Sequence, residues 1–105
     1  MIKIAIIHKD GAIKKVECSG HSGYAEQGKD IVCSAVSAIV QTAMLGLMDI
    51  SDVKYQRREG YLSFTCPEAK TPEDGIKQQA ILRAMYLGLK DMQRGYKAFI
   101  KMEER

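Results

Sequence analysis

From Ile31 to Met48 the chain reads IVCSAVSAIVQTAMLGLM, a run without a single charge. It is apolar nearly all round, which predicts a helix buried on most sides. Gln41 and Thr42 interrupt it before it reaches the roughly 18 to 20 apolar residues of a membrane span, so it reads as a core helix and no membrane partner is expected. Asp30, just ahead of it, is a good N-cap residue because its carboxylate accepts from the unpaired N–H groups of a first turn. A helix of this kind must be covered by other elements, and 105 residues supply one domain, 1–105, to do so.

The flanking segments alternate. Ile2, Ile4 and Ile6 are spaced by Lys3 and Ala5, which gives a strand ending near His8 and not a signal peptide. Lys9-Asp10-Gly11 turns the chain, and Ile13 to Cys18 runs back as the second strand of a hairpin. A second hairpin runs from Val53 to Arg57, turns at Glu59-Gly60 and returns from Tyr61 to Cys66, where Pro67 ends the ladder. Thr71-Pro72-Glu73-Asp74 opens a second helix, with a Thr cap, Pro at the first helical position and acids in the first turn. Leu82, Met85, Leu89 and Met92 recur on one face, and Gly95 stops it. Tyr96 to Met102 alternates again as a last strand. The predicted fold is α+β, a single domain in ββαββαβ order, with a mainly antiparallel five-stranded sheet packed with two helices.

Cys18, Cys33 and Cys66 are an odd set without a CxxC pair. That spacing fits neither a disulfide framework nor a structural zinc site; it suits a reducing, cytoplasmic setting, and no metal or cofactor is called for. The formal charge of +3 is spread along the chain, so nucleic acid is not expected as a partner on charge grounds.

Between strand and helix lies a polar loop, Ser19 to Lys29, with Gly20, Gly23 and Gly28, long for its place and flexible by composition. It carries His21. If Asp30 caps the helix, Cys33 falls in its first turn, where free N–H groups and the positive end of the helix dipole favour a thiolate and are also able to hold a developing oxyanion. The loop has enough slack to bring His21 back to the thiol, and such a pair supports acyl transfer, the imidazole protonating the leaving amine. Residue chemistry alone leaves a second reading open, in which Cys33 is a small core residue and His21 a solvated loop side chain. Cys18 and Cys66 read as core.

GHSGYA at Gly20 to Ala25 and GKDIVCSAVS at Gly28 to Ser37 resemble the two signature stretches of the bacterial ribosomal-processing cysteine protease family, Prp. The likeness extends to length and element order. It implies a homodimeric cytoplasmic endopeptidase that cuts the N-terminal extension from a large-subunit ribosomal protein next to a short aromatic-containing motif. By that resemblance His21 and Cys33 are the catalytic dyad. Gly20, Asp30 and Ser37 match supporting motif positions, with Asp30 capping the helix and orienting the loop and Ser37 sharing the face of the thiol. Gly23 and Gly28 belong to a loop that opens for an extended peptide. Ser22 and Ser34 stand where the family pattern leads one to expect alanine, a small polar change. Met44, Met48 and Tyr24 are apolar candidates to meet a substrate aromatic.

Two other readings compete. Gly20-His21-Ser22-Gly23 is a GxxG, the clamp that KH modules place on single-stranded nucleic acid, so a small RNA-binding or ribosome-associated module without catalysis is the alternative. In KH domains, however, GxxG joins two helices, and here it follows a strand. A thiol redox sensor pairing Cys33 with Cys18 or Cys66 is the other, weakened by the absence of CxxC.

Overall fold

The computed structural model describes residues 1–26 and 28–105. The alternating N-terminal segment forms β1 (Ile2–Lys9), and Asp10 and Gly11, both with positive φ, close a tight turn into β2 (Ala12–Ser19). Positive φ at both central residues matches the right-handed twist of the two strands, which is why a Gly sits there. After the loop come α1 (Ile31–Ile50), β3 (Lys54–Arg58), β4 (Tyr61–Thr65), α2 (Pro72–Gly95) and β5 (Ile100–Glu104). The order is ββαββαβ, as expected from the sequence.

The five strands form one sheet in the order β3-β4-β2-β1-β5. Three neighbouring pairs are antiparallel, and β5 lies parallel to β1 at the edge. Each helix therefore carries a crossover: α1 takes the chain from β2 past β4 to β3, and α2 takes it from β4 past β2 and β1 to β5. Ile4, Ile6, Val16, Phe64 and Ile100 bury the sheet face that both helices cover, together with Val36, Val40 and Leu47 from α1 and Leu82 and Leu89 from α2. The helices approach each other closely, Gly46 facing Ile81 and Gly88 facing Ile39.

Three expectations need correction. Helix α1 is not buried on most sides: Val32, Val36, Val40, Ala43, Met44 and Leu47 line its inner face, while Ile31, Leu45 and Met48 are exposed. One sheet and one helix can cover only one side of it. By length and composition α1 also suffices for a membrane crossing, so length does not exclude one; what marks it as a core helix is that buried face. The last strand begins at Ile100 and not at Tyr96, because residues 96–99 are used in reversing the chain. The Tyr96 N–H closes onto Met92 and Gln93, and the Phe99 N–H onto the Tyr96 carbonyl at 2.9 Å. The inward phase of Ile100 is as the alternation predicts, with Ile100 buried against β1.

This topology brings four strand ends together, the start of β1, the ends of β2 and β3 and the start of β4. Ser19, the last residue of β2, pairs with Lys3 near the start of β1 and with Tyr61 at the start of β4. The tip of the β3–β4 hairpin thus lies beside the exit of β2, where the glycine loop leads to the N-terminus of α1.

Candidate active site

Asp30 is the joint between loop and helix. Its Oδ1 accepts from the Val32 and Cys33 N–H groups, both at 3.0 Å, as a capping carboxylate should. Its Oδ2 accepts from the Ser22 hydroxyl and from the Ala25 N–H at 3.4 Å. Burial acts to raise the Asp30 pKa, but the hydrogen bonds from Ser22, Cys33, Ala25 and Val32 outweigh it and lower it from 3.8 to about 2. One carboxylate, ionised throughout the neutral range, therefore fixes both the first turn that carries Cys33 and the loop that carries His21.

Cys33 is half-buried in that first turn, and the Ser22 N–H points at its Sγ from 3.2 Å. The next loop amide, that of Tyr24, donates to the Ser22 Oγ at 3.1 Å. Ser22, read from the sequence as a small polar change, is only 3% exposed and takes part in three hydrogen bonds. The expected oxyanion cradle must also be redrawn. The Val32 and Cys33 N–H groups, which would have formed it, are spent on Asp30, and the Ser34 N–H closes onto the Asp30 carbonyl at 3.1 Å. The capping that makes Asp30 a good N-cap is the reason.

His21 is exposed and stands against the hairpin tip. A β-carbon added to Gly60 would lie 3.3 Å from His21 Nε2, so the ring would have to give by a few tenths of an ångström, and the φ of 69° at Gly60 itself favours glycine. The Gly20 N–H donates to the Gly60 carbonyl at 2.9 Å, tying the start of the loop to the same tip. Gly20 itself has φ of 87°, and a β-carbon on it would come within 2.6 Å of the Met1 carbonyl oxygen. Gly23 and Gly28 also have positive φ.

His21, Cys33 and Ser37 line two cavities at once. One, of about 580 Å³, extends toward Gln41, Arg57 and Tyr61. The other, of about 490 Å³, runs under the loop past Gly23, Gly28 and Asp30. The thiol and the imidazole thus sit where the two spaces meet. Ser37 is on the Cys33 side of α1, as the spacing predicts, and its Oγ accepts from Gln41 Nε2. Arg58 stacks over the Tyr61 ring at 3.9 Å from the centroid and contributes a cationic rim.

Other expectations fall away from the site. Met44 is core, Met48 is exposed, and Tyr24 packs edge-on against Tyr96 and Phe99; none of the three lines either cavity. Cys18 shares the larger cavity with Cys33, but burial pushes its thiol up to about 12, so it stays protonated and is a poor resolving partner for a redox pair. Burial likewise raises Cys66. Among the described residues no three His, Cys, Asp or Glu side chains cluster as metal ligands. No local sequence pattern marks Gly60, Arg57 and Tyr61 as site residues, since their place in it depends on the β2–β4 register.

Residues 1–101 match the family described as Cysteine protease Prp. The chain is 33% identical over 94 residues to the ribosomal processing cysteine protease Prp of Bacillus subtilis (strain 168), covering 84% of this chain and 82% of that protein. It is 27% identical over 107 residues to the protein of the same name from Staphylococcus aureus (strain NCTC 8325 / PS 47), covering 97% of each. Among solved structures, the S. aureus ribosomal processing protease Prp with a covalently linked product peptide superimposes with a TM-score of 0.85 at 24% identity over 100% of both chains. The S. aureus protease with a substrate peptide gives 0.82 at 21% identity, again over 100% of both chains. At these identities the two structures bear on the fold.

Proposed function

The chain belongs to the cysteine protease Prp family, and from that premise we propose that Cys33 is the nucleophile and His21 the proton carrier of a ribosomal-protein-processing endopeptidase. The observation that carries the reading is the position of both side chains at the junction of two cavities. An endopeptidase must hold polypeptide on both sides of the bond it cuts, and two cavities that share the thiol and the imidazole on their walls support that.

The steps follow from the groups present. The Cys33 thiolate attacks the scissile carbonyl carbon, forming a C–S bond as the carbonyl π pair moves to oxygen. The tetrahedral intermediate collapses, the C–N bond breaks, and the His21 imidazolium gives its proton to the departing amine. A thioester remains on Cys33. Water, deprotonated by the now neutral His21, adds to the thioester; the C–S bond breaks, the acid product leaves and the thiolate–imidazolium pair is restored.

The substrate we assign is the N-terminal extension of a large-subunit ribosomal protein, in keeping with the ribosomal processing role in the names of the relatives. The functional unit is a homodimer in the cytoplasm. The exposed apolar side chains of α1, Ile31, Leu45 and Met48, suit a second copy, since such a face is costly to leave in water. The test is cleavage of the extended ribosomal protein by the wild-type chain and by Cys33→Ala and His21→Ala, with circular dichroism to confirm folding. Both variants are expected to be inactive and folded; unchanged turnover in Cys33→Ala would overturn the assignment.

A further inference from the structure

We infer that the backbone N–H of Ser22 is the donor that receives the oxyanion, and that the Ser22 hydroxyl, bound to Asp30, holds it in place. The inference rests on Cys33 being the nucleophile. It starts from the helix end, where the amides of Val32 and Cys33 are engaged by the Asp30 carboxylate and that of Ser34 by the Asp30 carbonyl. The amide that does face the sulfur is Ser22's, 3.2 Å from Sγ. In the resting site it donates to the sulfur. When the sulfur attacks, its lone pair becomes the C–S bond and the negative charge passes to an oxygen two bonds from Sγ. A donor already aimed at the sulfur needs only a small shift to follow that charge, which is what preorganised stabilisation requires.

The side chain makes the amide dependable. Ser22 is buried, its hydroxyl donates to Asp30 Oδ2, and its own Oγ accepts from the Tyr24 N–H at 3.1 Å. The chain that follows the Ser22 amide is therefore tied, through the Ser22 hydroxyl and the Ala25 N–H, to a carboxylate that also caps the helix holding Cys33. Nucleophile and oxyanion donor are referenced to one anchor. Alanine at this position would leave the amide in place but release it from that anchor, so Ser22 has two separable contributions: an N–H on the reacting atoms and a positioning side chain.

They can be separated by chemical ligation at Cys33, joining a 1–32 thioester to residues 33–105, with an ester in place of the His21–Ser22 amide in the test chain and the all-amide chain as control. The ester removes the N–H and keeps every side chain. Loss of one oxyanion donor is expected to lower kcat by about 100-fold or more while KM stays within about twofold. A peptide aldehyde, which forms a tetrahedral adduct with the thiol, should weaken by a factor similar to that in kcat. Ser22→Ala is expected to lower kcat by roughly tenfold, again with little change in KM. An ester chain that folds like its control and keeps kcat within about threefold overturns the inference, as does an equal loss of kcat without loss of aldehyde affinity. The oxyanion would then pass to another donor, such as the Ser37 hydroxyl, which lines both cavities with Cys33. An active Cys33→Ala chain would instead remove the premise, so the two failures are told apart.

Discussion

Replacing Gly60 with alanine should damage the site from outside it, and Gly11 supplies a matched control. Both glycines have positive φ, 69° and 80°, and both close hairpins. In that region a β-carbon costs about 1–2 kcal/mol per residue, so each substitution should destabilise the fold by a similar amount. In a domain of this size that corresponds to a fall of roughly 4–8 °C in Tm for each kcal/mol. The surroundings differ. A β-carbon at Gly11 meets nothing within 4 Å, whereas one at Gly60 lies 3.3 Å from His21 Nε2, closer than such atoms ordinarily sit, and the ring must give way. Since a displacement of about 1 Å in a reacting group is able to cost about 100-fold, a shift of a few tenths should lower kcat by roughly three- to tenfold. Thermal melts and peptide-cleavage kinetics on the two variants, measured well below both melting points, separate stability from activity. The expected pattern is two equally destabilised proteins of which only Gly60→Ala is slow. Equal kcat in the two variants would refute the claim that the hairpin tip sets the position of His21.

Three further outcomes follow from the same structure. The Asp30 carboxyl titrates at about 2 in the folded chain against 3.8 as a free group, so its stabilisation is complete well above 3.8 and is lost as pH falls toward 2. Urea midpoints of wild type and Asp30→Asn should therefore differ at pH 6 and converge by pH 2, and a constant gap would contradict that role. Gly88 lies inside α2 and a β-carbon there would reach Ile39 Cδ1 at 3.6 Å, an ordinary contact; Gly88→Ala should thus raise stability by about 0.8–1 kcal/mol through helix propensity, read as a higher Tm. Cys18 is held protonated up to about 12 and Cys66 is buried, so mass spectrometry of the native chain after brief iodoacetamide treatment at pH 8 should find label on Cys33 alone.

What the sequence revealed is what short-range rules govern. The alternation of Ile2, Ile4 and Ile6, the Asp10-Gly11 turn, the Asp30 cap and the Thr71-Pro72 helix start each depend on a few neighbouring residues, and each is present. The same holds for Cys33 in the first turn of α1. Contacts that join distant segments were not legible. Gly60 reaches His21 only because Ser19 pairs with Tyr61, and no local pattern sets that register. Ser22 differs by one oxygen from the alanine the family pattern suggests, yet that oxygen meets Asp30 across the loop. The outer face of α1 could not be foreseen for another reason: an apolar run does not tell which of its sides a sheet will cover. Residues 96–99 alternate like a strand, but closing the C-terminus of α2 consumed them first.

In the proposed mechanism Cys33 becomes acylated by the substrate during turnover. Thioesters survive in acid, so mixing the protein with the extended ribosomal-protein peptide, quenching with acid on the millisecond timescale and taking intact and digested masses reads it directly. A transient adduct of the N-terminal fragment is expected, mapped to Cys33 and absent from Cys18 and Cys66. Cleavage at full rate from a Cys33→Ala chain, or an adduct on either of the other two cysteines, would contradict it.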